Sequence, residues 1–562
     1  MAPPAFAACG LPGAWAHRPS WTVLDTDFQD GQHFLNALRA WQHHPGRPRM
    51  LHYVGITAVA PDCTAVHDLP QALAPHWVDL RPGFHRILLE HGQVSLTLCV
   101  GDVSAMLGEH VFQTDTLLAR APADKWEVQA LARRCKRGTR FWVAAPSAGP
   151  MGNEHQSEKV AQLQSAGFQL DPTDIPTTAI TGRFDPRWHI STSRTPSHHV
   201  QPVPARCAIV GAGITGASVA HALALRGWEV TVFDGQAQAA CGASGLPVGL
   251  AVPHVSADDN PRSRMSRSGT HLLQQHARHL LLRGQDWEPS GVMERLPEGD
   301  SLWHARACWI KPAALVHAWL AHPGIRFVGA SRVARLHHTD GLWHVFGPQD
   351  VHLGRFEAVV VANAMGCADL LAAVPTDGAA GLALQDKLAA LQAVHGTLSQ
   401  GRFTQEIAGL PAKPVNGDGC FISLDDTTGT QWFAGSTFET DAALAADGAL
   451  QHAANMERLR HLLQIPGTDL IAALNRAPVS LWSSTRCVTH DRLPLVGPVD
   501  AAAGPGLWLS VGMGSRGLSF SALCAELLVA RMGAEPLPLE FSLSLSLDAN
   551  RPRRRPSAPD KH

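Results

Sequence analysis

The chain of 562 residues has a single tyrosine, Tyr53. Base stacking against any nucleic acid would therefore fall to tryptophan, phenylalanine or histidine. The 11 cysteines include no CxxC pair and follow no regular spacing. That argues against a disulfide framework or zinc site and for a reducing, cytoplasmic setting. The 31 histidines are dispersed, with no HExxH among them, so no metal site is expected. Neither sign of charge dominates: the formal net charge is −2. A nucleic-acid partner would have to be met by a local patch. No apolar run of about 18 residues is free of charges or helix breakers, so no membrane span is expected. The first residues carry no basic segment ahead of an apolar core, so no signal peptide is expected.

What is present is concentrated between Cys207 and Asp234, CAIVGAGITGASVAHALALRGWEVTVFD. An apolar strand runs into Gly211, Gly213 and Gly216. A helical pattern follows, then a second apolar strand ending on an acid. This is a complete β-α-β dinucleotide fingerprint. Gly211 serves the tight turn, Gly213 lets backbone approach a pyrophosphate, and Gly216 lets helix and strand pack closely. Asp234 is the expected ribose acid. The unit begins about 200 residues into the chain, where such a fingerprint more often opens one.

Length predicts two to four domains at about 100–200 residues each. Residues 1–190 alternate short apolar runs with helical spacing. Strands are expected at Trp21–Leu24, Met50–Ile56, Val94–Val100 and Arg140–Ala145, and a helix at His33–Trp41. That alternation implies a mostly parallel sheet. Residues 191–204, polar and punctuated by prolines, read as a linker. Residues 205–545 hold the fingerprint, buried strands at Glu357–Asn363 and Leu507–Val511, and a helix at Ser519–Met532. Between them lie stretches of mixed elements expected to form a substrate domain. Residues 546–562, rich in arginine and proline, read as a disordered basic tail.

Three further stretches carry a resemblance. They are Gly242-Ala243-Ser244-Gly245, the run Arg486 to Gly497 (RCVTHDRLPLVG), and Gly514-Ser515-Arg516-Gly517-Leu518. With the fingerprint, they resemble the family of tRNA 5-methylaminomethyl-2-thiouridine biosynthesis bifunctional proteins. The C-terminal half of that family is similar to the glycine/D-amino-acid oxidase flavoproteins. The resemblance implies an α/β and α+β chain: a degenerate Rossmann-like methyltransferase domain, then an FAD-binding Rossmann domain with an interleaved substrate domain. It implies FAD as cofactor, with residues 242–245 under the flavin and Gly514, Ser515, Gly517 and Leu518 near its pyrimidine edge. Arg486 and Arg516 match positions that hold substrate carboxylates, a task suited to a planar guanidinium fork. No side chain is assigned as catalytic acid or base, and His490, where relatives carry arginine, is given no role. The implied reaction is oxidative removal of the carboxymethyl group from 5-carboxymethylaminomethyl(-2-thio)uridine at the tRNA wobble position.

The same resemblance makes the N-terminal half a family methyltransferase with an eroded S-adenosylmethionine site. The family's glycine-rich loop, approximately ETGFGTGLNFL, stands here as Asp25 to Leu35, DTDFQDGQHFL. Asp27 and Gln29 replace two of its three glycines, and only Gly31 remains. Thr57 stands where a ribose acid is expected, while Asp102 matches the acid near the adenine. The later LDGFAP motif is reduced to Leu118-Ala119-Arg120-Ala121-Pro122. Loss of methyl transfer is expected, with S-adenosylmethionine a cofactor only if this site still works. For tRNA phosphates the candidate clusters are Arg133 to Arg140, Arg262 to Arg267, and Arg551 to Arg555. Two alternatives are a free glycine- or sarcosine-type oxidase and a non-catalytic tRNA-binding scaffold. Oligomeric state is not legible.

Overall fold

The computed structural model describes all residues except 1–2, 62–72, 74–75, 78–79, 145–151, 173–178, 190–200, 202, 297–298, 377, 404–410, 427–428, 464–473, 475–477, 500–503 and 553–562. Two compact units form. One comprises Met1–Pro204, Leu225–Gly227 and Val529–Leu545, and the other Ala205–Ala224, Trp228–Leu528 and Ser546–His562. The expected linker lies almost wholly outside the described residues.

The first unit is built on an eight-stranded sheet. Its strands are β1 (Ser20–Asp25), β2 (Met50–Thr57), β3 (Gly83–Leu89), β4 (Val94–Val100), β5 (Thr114–Ala119), β6 (Cys135–Ala144), β7 (Phe168–Leu170) and β8 (Ala179–Phe184). They lie in the order β3-β4-β2-β1-β5-β6-β8-β7. The five central strands are parallel, whereas β3 and β8 run antiparallel to their neighbours. Both faces of the central strands are covered; β4 is buried at every position, its Ser95 and Thr97 included. Helix α1 (Gln32–His43) buries Phe34, Leu35, Leu38 and Trp41 along one stripe, the spacing of an amphipathic helix. Strand order reverses between β1 and β5, and the crevice at their carboxyl ends is where doubly wound sheets take ligands.

The expected strands form, with one difference in extent. β6 begins at Cys135 rather than Arg140. Its first half is charged and shows no apolar alternation. It is held by ion pairs from Lys136 to Asp115 and from Arg137 to Asp185, which only the folded sheet brings together.

The second unit contains a six-stranded sheet in the order Ile325–Val328, Glu229–Phe233, Arg206–Val210, Ala358–Val361, Leu507–Val511, Leu495–Pro498. All neighbours are parallel except the last pair. A seven-stranded sheet is the other large sheet described in this unit. Its order is Ser301–His304, Val292–Arg295, Val415–Gly417, Gly419–Asp426, Gly429–Gly435, Gln392–Phe403, Val479–Val488. The helix Gly448–Leu463 covers one face of it, packing Met456, Leu459 and Leu462 against Phe421 and Trp432. The helix after Leu507–Val511 spans Gly517–Gly533.

Residues 546–552, read from sequence as part of a disordered tail, are ordered instead. The Val496 N–H donates to Leu547 O at 2.8 Å. The Arg551 guanidinium forks onto both Asp491 oxygens, at 2.9 and 2.8 Å, and onto the carbonyls of Leu493 and Pro494. The remainder of the tail lies outside the described residues.

Candidate active site

A cleft of about 860 Å³ opens in the second unit, lined by Gly211 and Gly213, the 240–254 loop, Asn363, the 511–519 segment and the inner face of the seven-stranded sheet. The three fingerprint glycines do distinct work. Gly211 has φ +106°, and a Cβ there would lie 2.8 Å from Ala362 O. Gly216 packs so tightly that a Cβ would lie 1.9 Å from Gly211 O. Gly213 is open, with only Ser244 Oγ nearby, at 3.3 Å from where a Cβ would be. Turn, packing and ligand approach are thus divided among three positions.

Asp234 accepts the Ala212 N–H on Oδ2 at 2.7 Å and the Gln236 N–H on Oδ1 at 2.8 Å. It braces the glycine turn as well as facing the cleft, and each oxygen keeps a lone pair for a ribose hydroxyl. Gly242, Ala243, Ser244 and Gly245 form a short turn in which Ser244 Oγ accepts the Ile214 N–H at 2.8 Å. Gly245 is confined, since a Cβ would meet Ala240 O at 2.7 Å. Gly514, Ser515, Gly517 and Leu518 line the opposite wall, where Gly517 opens the long helix. Among the described residues, two buried polar atoms in this cleft have no hydrogen-bond partner, Asn363 Oδ1 and Arg516 Nη1. A glycine cradle, a braced acid, a helix N-terminus and orphaned polar atoms fit a dinucleotide such as FAD.

Arg486 and Arg516 both reach the cleft, but they are not equivalent. Arg486, on Val479–Val488, donates Nη1 to Thr437 O at 3.2 Å and Nη2 to Ser436 Oγ. Its guanidinium lies 4.6 Å from the centre of the Phe438 ring. Arg516 keeps Nη1 buried and unpaired. Burial pushes its pKa down first, and the like charges of Arg262 and Arg492 add to this. A buried, unpaired, crowded guanidinium is poised for an anion. Arg486, by contrast, is already tied to its neighbours at the cleft wall. Gly396 makes room for it, because a Cβ there would fall 2.3 Å from Arg486 Nη1. Gly396→Ala should therefore displace that guanidinium, raising substrate KM about tenfold with flavin content unchanged; steady-state kinetics beside the visible spectrum checks this.

Sequence reasoning did not single out Asn363, His254, Phe438 or Glu294, all of which line the cleft. None sits in a motif. Burial, with the Arg516 and Arg262 charges, holds the His254 pKa below its ordinary value.

In the first unit the residues of the expected S-adenosylmethionine site come together at the carboxyl ends of β1, β2 and β4, but in self-satisfied contacts. Asp25 is fully buried. It accepts the Tyr53 hydroxyl at 2.6 Å and the Asp27 N–H at 2.8 Å, with His33 Nδ1 at 3.5 Å. Burial and the Asp25 charge push the Tyr53 phenol up, so the only tyrosine is locked in the core rather than available for stacking. Gln29 Nε2 donates to Asp27 Oδ1 at 2.6 Å, closing the loop with the two side chains that replaced glycines. Gln29 sits at φ +42°, strained for a residue with a Cβ. Gly31 keeps φ +82° and precedes α1. Thr57 Oγ1 donates to Val59 O at 2.8 Å. Asp102 Oδ1 accepts the Ala105 N–H at 2.9 Å, capping the helix Val103–Gly108. These residues do not fit S-adenosylmethionine: carboxylates and an amide occupy the loop where backbone should meet the ligand.

The basic clusters are largely spent within the fold. Arg134 donates to His110 O, Arg140 pairs with Asp171 at 2.9 Å, and Arg267 forks onto Asp259 at 2.7 and 3.0 Å. With the β6 pairs and Arg551 described above, most of the described members of these runs are paired within the fold, whereas Arg553, Arg554 and Arg555 lie outside the described residues. Among the described residues no helix is long and apolar enough to cross a membrane, and no cluster of His, Cys, Asp or Glu suits a metal ion.

The family described as FAD dependent oxidoreductase matches residues 206–294 and 277–531. Over 97% of its length the chain is 41% identical to the tRNA 5-methylaminomethyl-2-thiouridine biosynthesis bifunctional protein MnmC of Albidiferax ferrireducens, 95% of which is covered. The protein of the same name from Polaromonas sp. is 39% identical over 96% of this chain and 92% of its own. Among solved structures, glycine oxidase from Geobacillus kaustophilus superposes with a TM-score of 0.49 at 18% identity, covering 62% of this chain and 100% of that one.

Proposed function

Since the chain belongs to the tRNA 5-methylaminomethyl-2-thiouridine biosynthesis bifunctional family, with its C-terminal half an FAD dependent oxidoreductase, we propose that it removes the carboxymethyl group from 5-carboxymethylaminomethyl(-2-thio)uridine at the tRNA wobble position. The product is the aminomethyl form, and the methylation expected next of the family is lost in this chain. The observation that carries the oxidative reading is Arg516, whose buried, unpaired Nη1 faces a dinucleotide-shaped cleft.

The fingerprint glycines, Asp234 and the Gly514–Leu518 wall would hold FAD, which when bound accepts the electron pair and hydrogen of a substrate methylene. The side chains orient. Arg516 and Arg486 take the glycine-type carboxylate. Hydrolysis of the oxidised C–N bond then releases glyoxylate and leaves the aminomethyl group on the base. Around Arg516, Arg262 and Arg492 are cations with no described ion-pair partner, and they are the groups proposed to meet RNA phosphate near the wobble nucleotide.

The test is nucleoside mass spectrometry on carboxymethylaminomethyl-tRNA incubated with the purified protein, with and without S-adenosylmethionine. Conversion to the aminomethyl form in both cases is the expected result. Appearance of the methylaminomethyl form only with S-adenosylmethionine would show that the loop closed by Asp27 and Gln29 still admits cofactor. No conversion by flavin-loaded protein would reject the tRNA reading.

A further inference from the structure

The seven-stranded sheet contributes one carboxylate to the described lining of the cleft, Glu294; the other two, Asp234 and Asp369, lie on the nucleotide-binding side. Glu294 sits on Val292–Arg295, opposite Asn416 of the neighbouring strand. Its Oε2 is held at 2.6 Å by Nε2 of His304, a ring only 4% exposed on the adjacent strand. A carboxylate of the same cleft that Arg516 lines is thus clamped by one oxygen, and its other oxygen, Oε1, has no partner among the described residues. It bears electrostatically on Arg516 yet forms no ion pair with it. An acid and an unpaired guanidinium across one cavity are complementary to a zwitterion: a carboxylate for Arg516 and an ammonium for Glu294. A secondary amine flanked by methylenes is protonated at neutral pH, and its nitrogen lone pair must be free before the adjacent C–H bond can give up a hydride.

We propose that Glu294 recognises the secondary ammonium of the substrate and takes its proton on Oε1, with His304 as the positioning residue that aims the carboxylate. The step balances simply. One N–H bond breaks, an O–H bond forms on Glu294, and the amine becomes neutral with its electron pair available; the carboxylic acid later returns the proton to water. The two-electron oxidation that follows belongs to the flavin reaction proposed above, and this assignment rests on that reading.

The test uses the flavin-loaded full-length protein and carboxymethylaminomethyl-tRNA. In anaerobic stopped-flow, Glu294→Gln should slow flavin reduction about 100-fold at neutral pH, and the loss should shrink as pH rises toward the pKa of the free amine. The second readout is binding without turnover, to dithionite-reduced protein. There the variant should lose about tenfold in affinity for the modified tRNA and none for the same tRNA with an unmodified wobble uridine. Glu294→Asp should recover part of both, which also guards against a folding defect. Unchanged reduction rate and unchanged discrimination between the two tRNAs in Glu294→Gln would overturn the assignment. Failure of the wild-type protein to reduce its flavin with modified tRNA would instead sink the proposed function itself.

Discussion

Arg516→Ala should bind FAD normally and oxidise almost nothing. Its side chain offers a buried donor that no described residue satisfies, so its removal strands no partner among the described residues. The folded state loses little, while the substrate loses a bidentate charge-assisted contact. Two such hydrogen bonds are together worth about 4 kcal/mol, or about 10³-fold in kcat/KM. Arg516→Lys should recover only a small part, because an ammonium cannot reproduce the planar fork. The measurement is kcat/KM on carboxymethylaminomethyl-tRNA beside the flavin absorption spectrum. A variant with full flavin and turnover within a few-fold of wild type would show that Arg516 does not hold the carboxylate. Arg486→Ala is a less clean experiment. That guanidinium also ties Thr437 O and Ser436 Oγ, so its loss mixes binding with local disorder.

Gly216→Ala should yield protein that purifies without flavin. The added Cβ would stand 1.9 Å from the carbonyl oxygen of Gly211, so helix and glycine turn must separate. Overpacking of this kind costs about 3 kcal/mol, and the displacement falls on the backbone that should touch the pyrophosphate. The expected result is a flavin-to-protein absorbance ratio near background and a lowered melting temperature that added FAD does not restore. Gly213→Ala is the control within the same motif. Its Cβ would meet only Ser244 Oγ, at 3.3 Å, so the apoprotein should melt like wild type while its affinity for FAD falls. If Gly216→Ala retained FAD as wild type does, the turn would not be the cofactor cradle.

The two glycines differ in a way that spacing does not reveal. GxGxxG states that three positions lack side chains, but which one guards packing and which one guards ligand space depends on what lies opposite. Here Gly211 faces the chain at Ala362 and Asn363, about 150 residues further along, and only the parallel pairing of Arg206–Val210 with Ala358–Val361 brings that segment there.

Much of the chain was legible before any coordinates. Short apolar runs revealed the strands at 206–210 and 507–511, and β4 was legible from its apolar residues although Ser95 and Thr97 stand among them. The glycine turn and its acid are local, separated by one helix, so their chemistry is written in consecutive residues. The expectation of an eroded N-terminal loop rests on one short segment too, where Asp27 and Gln29 stand at positions the resemblance gives to glycine. What only the tertiary structure decided involves partners distant in sequence. The run from Arg133 to Arg140 looks like a phosphate-binding stripe until the sheet sets Asp115, Asp171 and Asp185 against it. Arg551 looks like part of a loose basic tail until Asp491 meets it. Glu294 belongs to no motif, and its place in the cleft follows from strand pairing with Asn416 and Leu302 and from the His304 side chain that holds it. The physical reason is common to all three. A charge acts through whatever stands within a few ångströms of it, and in a sheet those neighbours come from other strands rather than from adjacent residues.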